Sequence, residues 1–472
     1  MDMFSEKRNQ EIFWLSSFSI TTCIVIGVVT ALGVTSLPDA LRFLLEDRFF
    51  FTKLFIVVLG ILCLLPVAWQ ALRFGFKVEL FSPTIVFPLL YFAVFGLGSL
   101  QLLAISDRRV FTVVSYAIAG IIFYYFGALV MKLALLCRKE RPKGHKVSVD
   151  WDPYLLRLVL SSFVVISIAA TLYHAFKTGL PIFIPNIEEL RVSIQQEVTN
   201  YILFLMRLIT PAVFFLLAYG FLYRGVKRPV LFFAFAGGLL IIVGLANRHD
   251  VFTYSLGSIL IYHFGRKKLN LRMLLPGIFI GLLCLMAMGF YRIISLSFMT
   301  PEKAFLIKIA SENRLFMFLA YSVFQFTIYP FNFAIYLDTF PTILPFELGY
   351  SFVRAVSTIL PGHQDLLDEL VKAKLNLQFL GGGINPTILG ELYANFGFLG
   401  VVGMSVYGAL MTFLFYNMLR NRSGINIIAY SYGMVSLLLS LIGGFFSFFL
   451  YFYYMIVIAV VHILTRRKKL EF

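Results

Sequence analysis

Apolar residues run through this chain in long blocks rather than in the alternating patterns of soluble helices and strands. A helix needs about 20 apolar residues to cross the hydrocarbon of a bilayer. Runs that meet or approach this length centre on 12–32, 54–71, 83–104, 111–136, 155–174, 201–223, 229–246, 251–264, 273–295, 388–417, 426–446 and 450–465. The pattern predicts an all-α polytopic membrane protein with about twelve transmembrane helices.

A long segment between the ninth and tenth predicted spans divides the chain into three parts. Residues 1–295 hold the first nine spans, residues 296–386 form a large, partly helical extracytoplasmic loop, and residues 387–472 hold the last three. The run Leu315 to Leu337 inside this loop is long enough to span. A crossing there would invert every later segment, so we expect it to lie at the interface or to fold back into the protein.

Three of the predicted spans have an alternative interpretation. The runs 229–246 and 251–264 are short and are separated by Asn247-Arg248-His249-Asp250, so they could also form a kinked or re-entrant pair. The run 12–32 follows a short basic start without a convincing small-residue cleavage site. We therefore expect a retained helix there rather than a signal peptide.

The charge pattern supports one orientation of these spans. The chain is 60% hydrophobic and 14% charged, with 40 Lys and Arg residues against 24 acids and a net charge of +16. Basic runs at 138–141, 266–268 and 466–469 all fall on the cytoplasmic side when both termini are cytoplasmic. The excess of basic residues is thus explained by contact with anionic headgroups of the inner leaflet, and no nucleic-acid partner is expected.

Four arginines are predicted at or near the outer membrane level. Arg207 lies inside the sixth span, Arg191 precedes that span, Arg248 lies at the tip between the seventh and eighth spans, and Arg292 ends the ninth. Each one alone is compatible with a cation that snorkels to anchor a helix end. Together they point to a bound pyrophosphate, since guanidinium groups are its preferred partners.

A conspicuous acid lies at the start of the tenth span. Asn385 suits the N-cap and Pro386 the first turn of a helix that continues through Thr387. Glu391 then falls about 8 Å into this helix. A carboxylate inside a membrane span is either the counter-ion of an arginine or a general base for a sugar hydroxyl.

The remaining candidate groups are a histidine and three acids of the large loop and the four cysteines. His363 could act as a base, although a single loop histidine is more often a surface residue. The acids Asp365, Asp368 and Glu369 do not have the spacing of a defined metal site. The four cysteines form no CxxC pair. The sequence therefore predicts neither a metal nor another cofactor.

Short motifs in these segments resemble those of the Wzy-type oligosaccharide repeat-unit polymerases, which include the O-antigen polymerases. The resemblance covers roughly residues 175–420. It rests on the large loop near the carboxy end and on five segments: Gly244 to Arg248, Ala287 to Arg292, Leu360-Pro361-Gly362, Gly383 to Tyr393, and Asn395-Phe396-Gly397. Asn247 departs from the family pattern, which has a small residue before the arginine.

The resemblance implies a glycosyltransferase of the bacterial cytoplasmic membrane whose active site faces the periplasm or cell exterior. It would join polyprenyl-pyrophosphate-linked glycans, surrounded by membrane lipids, with a chain-length regulator protein as a possible partner. Glu391 would be the first candidate for the base and His363 the second. The substrate contacts implied are Arg191, Arg207, Arg248, Arg292, Arg354, Asn385, Thr387 and Tyr393.

Two other functions fit part of the sequence. A flippase for the same lipid-linked units would also have about twelve helices, but transporters usually show internal repeats and polar residues near the midplane. A ligase that moves finished glycan onto another acceptor differs from a polymerase only in its acceptor. The one-sided loop and the outer cluster of charges favour a transferase over a transporter.

Overall fold

The computed structural model describes residues 50–74, 79–102, 107–137, 151–178, 200–223, 226–244, 247–269, 314–357, 366–377 and 384–466. Most of these residues form helices. The β-type pairing among the described residues is a single isolated bridge between Trp151 and Arg466. The α-helices, numbered in chain order, are α1 (Phe50–Phe74), α2 (Pro83–Tyr91), α3 (Gly98–Leu102), α4 (Asp107–Cys137), α5 (Pro153–Thr178), α6 (Asn200–Arg207), α7 (Ile209–Tyr223), α8 (Arg228–Gly244), α9 (Arg248–Gly265), α10 (Arg314–Thr339), α11 (Tyr350–Ser357), α12 (Leu367–Lys374), α13 (Thr387–Phe396), α14 (Met404–Arg420), α15 (Gly424–Gly443) and α16 (Phe445–Thr465). A π-helical turn, Phe92–Leu97, joins α2 to α3, and a 3₁₀ segment, Gly397–Gly403, joins α13 to α14.

Seven helical segments in the described part of the chain are long and apolar enough to cross a membrane. The predicted spans 12–32 and 273–295 lie outside the described residues, and each of the other predicted spans coincides with helix. The helices at 228–244 and 453–465 are apolar but shorter. A helical multi-pass membrane protein is therefore confirmed, while the total of twelve spans stays a prediction.

The exposed surface of the outer helices is apolar, as expected for contact with lipid. Along α5, Val165 and Leu172 are each 65% exposed. By contrast α15 is almost entirely buried between its neighbours. The bundle thus has α15 near its centre and directs large apolar side chains outward, the reverse of a soluble helical domain.

Buried tyrosines connect the helices of the core. The hydroxyl groups of Tyr91 and Tyr124 donate to the carbonyl oxygens of Ala117 and Pro83, each at 2.9 Å. The helices α4 and α14 approach so closely that a Cβ at Gly127 would overlap the carbonyl oxygen of Ser405. Close approach at a small residue and satisfied polar groups are both required where water is absent.

Several predicted spans differ in detail from the observed helices. The span 201–223 is divided at Leu208, because Pro211 has no N–H with which to bond the carbonyl of Arg207. The span 388–417 contains the 3₁₀ segment Gly397–Gly403. The boundary expected at 446–450 lies instead at Gly444, whose φ of +72° ends α15 and starts α16.

Contacts between helix ends define two ends of the bundle. At one end, Glu79 contacts His263 and Lys268 at 2.5 and 2.6 Å. Arg422 donates to the carbonyl of Phe264 at 2.9 Å. We call this the basic end, because Lys227, Arg228, Arg266, Lys267, Lys268, Arg420 and Arg422 lie there. The opposite end, where α9 and α16 begin and where Glu391 lies, is the carboxylate end.

The described part of the predicted loop consists of α10, α11 and α12. Helix α10 covers the run Leu315 to Leu337 and packs against the π-helical turn, α3, α4 and α13. At the carboxylate end, Asp338 near its last turn pairs with Arg109 at the start of α4, at 2.5 Å. This run therefore forms a helix that packs against the bundle. The position of residues 296–386 outside the membrane stays a prediction.

Candidate functional site

The site is organised by α13, whose first turn differs from the prediction. The N-cap position is occupied by Pro386 rather than by Asn385, so the prediction that Asn385 caps this helix is wrong. The side chain of Thr387 accepts a hydrogen bond of 3.2 Å from the amide of Gly390 and satisfies one free N–H of the first turn. Thr387 has φ +59°, a strained conformation for a β-branched residue.

Asn385 lies just before this helix and contributes its backbone. Its carbonyl accepts a hydrogen bond of 3.3 Å from the side-chain amide of Asn332 on α10, while its own side chain is exposed. The hydroxyl of Tyr336 donates to the carbonyl of Ile384 at 2.9 Å. Helix α10 thereby fixes the entry of the chain into α13.

Glu391 lies on the second turn of α13 and is only 4% exposed. Its Oε1 accepts a hydrogen bond of 3.1 Å from the hydroxyl of Ser351 on α11. Its Oε2 accepts a short hydrogen bond from the backbone amide of Phe445, the first residue of α16. Both carboxylate oxygens are thus held in place, Oε1 by a side-chain hydroxyl and Oε2 at the N-terminus of α16.

The positive φ of Gly444 makes this contact with Phe445 possible. A Cβ at Gly444 would lie 2.5 Å from Oε2 of Glu391 and 2.8 Å from Cγ of Pro386. Only glycine adopts the backbone conformation without strain and leaves space for the carboxylate. The turn between α15 and α16 is therefore shaped around Glu391.

Asn395 connects α13 to the segment that precedes α11. It lies four residues after Glu391, on the same face of the helix, and is fully buried. Its Oδ1 accepts from the amide of Gly349 at 2.8 Å, and its Nδ2 donates to the hydroxyl of Ser351 at 2.7 Å. The backbone amides of Glu347 and Leu348 donate to the carbonyls of Ala394 and Asn395. Residues 347–351 are thus bound along the last turn of α13.

Arg354 lies one helical turn after Ser351 and brings a positive charge to this end of α13. Its NH2 group lies 3.3 Å from Oε2 of Glu347, and its guanidinium lies 4.7 Å from the ring centroid of Tyr350. Its NH1 group is buried and lacks a hydrogen-bond partner among the described residues. Arg354 therefore retains donors that a negatively charged ligand could use.

Tyr393 has a structural environment in this conformation. Its hydroxyl donates to the carbonyl of Phe340 at 3.3 Å, and its ring packs edge-on against Tyr116, Phe346 and Phe398. The side chain is 6% exposed. Substrate contact by Tyr393, as the family resemblance implies, would need a change at this surface.

Arg207 pairs with an acid that the sequence analysis did not assign to it. Its Nε lies 3.1 Å from both carboxylate oxygens of Asp250, and its NH2 group lies 3.0 Å from Oδ2. The two side chains are 16% and 10% exposed. Asp250 lies in the first turn of α9, which Asn247 caps through its side-chain oxygen. The pair links α6 to the carboxylate end of α9.

Of the four arginines predicted to lie together, only Arg207 has a side chain among the described residues. Arg191 and Arg292 lie outside the described residues, as does His363, and the side chain of Arg248 lies outside them as well. Among the described residues no arginine forms an ion pair with Glu391. The donors that the structure shows for this acid are neutral, the Ser351 hydroxyl and the Phe445 amide, and its pairing with an arginine stays a prediction.

Two residues of the site, Ser351 and Asn395, were not assigned by the sequence analysis. The four-residue spacing of Asn395 from Glu391 was a usable signal, because it places both side chains on one helix face. No comparable signal marks Ser351, which lies 40 positions before Glu391. Within the described residues, no group of three His, Cys, Asp or Glu side chains is arranged to hold a metal ion.

Comparisons with known proteins identify no relative. No family model matches the chain, and neither a curated protein nor a solved structure resembles it significantly. The function is therefore inferred from the site itself and from the motif resemblance.

Proposed function

We propose that this protein is a membrane-embedded glycosyltransferase of the polymerase type. It joins polyprenyl-pyrophosphate-linked oligosaccharide repeat units into a surface polysaccharide such as O-antigen. It works at the outer face of the bacterial cytoplasmic membrane, with both termini in the cytoplasm. The proposal combines the motif resemblance with the environment of one acid.

That acid, Glu391, carries the proposal. It is a carboxylate buried at the end of an apolar helical bundle, oriented by Ser351 and by the Phe445 amide. The proximity of Arg354, one turn from Ser351, adds a guanidinium with an unused donor group. A base and an anion-binding cation at one end of a membrane bundle suit a substrate with a sugar hydroxyl and a lipid-linked pyrophosphate.

The proposed reaction assigns a role to each of these groups. The hydroxyl oxygen of the acceptor sugar attacks the anomeric carbon of the donor glycan, and the bond from that carbon to the pyrophosphate oxygen breaks. Glu391 takes the hydroxyl proton, and polyprenyl pyrophosphate leaves with its charge stabilised by Arg354 and by Arg191, Arg248 and Arg292. Because Glu391 is covered by residues 347–351, these residues move away from α13 when the acceptor binds.

The test is reconstitution of the purified full-length protein in liposomes that contain lipid-linked repeat units. We expect a ladder of products that differ by one repeat, formed equally well in the presence of a chelator. Glu391→Gln should slow ladder formation by roughly 10²- to 10⁴-fold, the usual contribution of a general base. Arg248→Ala should abolish the ladder.

The control variant is Glu79→Gln, which removes a carboxylate at the basic end and should leave the ladder intact. Thermal melting of each variant in detergent separates loss of chemistry from loss of folding. Products limited to a single repeat would contradict a polymerase and favour the ligase. Lipid scrambling without new glycosidic bonds would favour the flippase.

A further inference from the structure

A second candidate site lies at the basic end, away from Glu391. Helices α7, α8 and α9 enclose an open cleft of about 420 Å³. Its walls are mainly apolar and aromatic and include Phe221, Phe235 and Tyr262. We call it the basic cleft, because Arg228 and Arg266 also line it. Apolar walls with a few polar groups are typical of a binding site for an amphiphilic molecule.

One wall of the basic cleft carries a polar group without a partner. Ser258 lies on α9, is only 6% exposed, and lines the cleft. Its hydroxyl has no hydrogen-bond partner among the described residues, not even the carbonyl one turn earlier on its own helix. A buried hydroxyl in this state is costly, so a ligand that accepts its hydrogen bond would be favoured.

Two arginines place positive charge at the mouth of the cleft. The guanidinium of Arg266 lies 5.9 Å from the ring centroids of both Phe221 and Tyr262. Arg228 is exposed at the start of α8. Neither arginine forms an ion pair within the described part of the chain. Both are therefore available to an anion.

The depth of the cleft fits the interfacial layer of a bilayer. Arg266 leans back along α9 to the level of Tyr262, and Ser258 lies one turn deeper, at roughly 6 Å by helical rise. The polar layer on each side of the hydrocarbon is about 5–7 Å thick. An anion held by the arginines would thus be separated from Ser258 by about the height of a lipid headgroup region.

We propose that the basic cleft binds an anionic glycerophospholipid. Its phosphate lies between Arg228 and Arg266, an ester carbonyl accepts the hydrogen bond from Ser258, and an acyl chain packs against Phe221 and Phe235. A free phosphate would use the arginines but neither Ser258 nor the aromatic wall. A zwitterionic lipid would fill the wall but carry its own cation to the arginines. This site is separate from the one proposed for glycan transfer.

The experiment measures lipid retention by the full-length protein. The protein is reconstituted in nanodiscs of phosphatidylcholine that contain a minor fraction of phosphatidylglycerol, extracted into detergent, and analysed by native mass spectrometry. We expect a tightly held phosphatidylglycerol and little phosphatidylcholine. The double variant Arg228→Gln/Arg266→Gln should lose roughly twenty- to thirty-fold in apparent affinity for phosphatidylglycerol. Ser258→Ala should lose less, about three- to tenfold.

The matched control is Arg157→Gln, which removes an exposed arginine near the basic end of α5, outside the cleft. It should retain as much phosphatidylglycerol as the unmodified protein. Equal retention of the two lipids would overturn the proposal, as would a double variant that behaves like the control. Displacement of the bound lipid by inorganic phosphate would assign the arginines to a free anion and likewise overturn it.

Discussion

The hydroxyl of Ser351 donates a hydrogen bond of 3.1 Å to Oε1 of Glu391. The same hydroxyl accepts one of 2.7 Å from Nδ2 of Asn395. Ser351 therefore supplies hydrogen-bond partners to two buried polar side chains of α13, Glu391 and Asn395. A side chain in this position affects both the orientation of the carboxylate and the attachment of residues 347–351.

Replacement of Ser351 by alanine should destabilise the protein. The change leaves Oε1 of Glu391 and one hydrogen of Asn395 without these partners, and each unsatisfied buried group costs about 1–3 kcal/mol. We expect a clear drop of the melting temperature in detergent. Ser161→Ala is the control, because Ser161 is exposed and bonds only to its own helix. Equal melting temperatures for the two variants would show that Ser351 does not stabilise this segment.

The buried pair of Arg207 and Asp250 should be sensitive to the loss of one partner. Asp250→Ala leaves a guanidinium buried without its carboxylate, and such a change costs about 3–5 kcal/mol. The double variant Arg207→Met/Asp250→Leu removes both charges and should recover much of this loss. Melting temperatures of the single and double variants measure the coupling. Additive losses would mean that the two side chains do not interact.

Gly444 and Gly237 form a matched pair of helix-associated glycines. Gly444→Ala should disturb Glu391 and destabilise the protein by about 1 kcal/mol or more, since φ is +72° and the carboxylate occupies the space. Gly237 lies inside α8, and a Cβ there would meet no other atom within 4 Å. Gly237→Ala should be neutral or stabilising by about 0.5–1 kcal/mol. The proposed packing around Gly444 would be refuted if both variants melted alike.

The stability provided by Glu79 should depend on pH. Burial alone would raise the pKa of Glu79, but hydrogen bonds from His263 and Lys268 outweigh this effect and lower the pKa below its ordinary value of 4.5. Such a group stabilises the fold above its unfolded pKa, and the contribution is lost as the pH falls through the lower, folded value. The difference in melting temperature between the protein and Glu79→Gln should thus be constant above about pH 5 and shrink in more acidic solution. A difference that grew on acidification would contradict the assignment.

The spans were predictable where hydropathy alone decides the structure. Because lipid forces each crossing segment to satisfy its own backbone, a long apolar run such as 111–136 implies a helix regardless of its neighbours. The interruptions within the spans could not be predicted from hydropathy. The 3₁₀ segment at Gly397–Gly403 begins with a glycine of φ +58° and packs against Tyr116, whose hydroxyl donates to the carbonyl of Gly397. That contact joins positions 281 residues apart and has no local signal.

In the site, too, features set by local sequence could be predicted, and contacts between residues far apart in the sequence could not. Glu391 was recognisable because an acid in an apolar helix is rare and costly. The cap was mispredicted because Asn385 and Thr387 both have suitable side chains, and the N-cap position falls between them, at Pro386. The partner of Arg207 was missed because Asp250 lies 43 positions away, at the tip of another helix. Pairing across such separations depends on how the helices pack.

The contact between the start of α5 and the end of α16 has a consequence for the order of assembly. Trp151 donates its indole N–H to Nδ1 of His462 at 3.0 Å, and the amide of Asp152 donates to the carbonyl of Thr465 at 2.7 Å. These partners are synthesised about 311 residues apart. The start of α5 therefore cannot form these contacts until α16 has emerged from the ribosome. Until then, the indole N–H of Trp151 lacks the partner that it has in the folded protein.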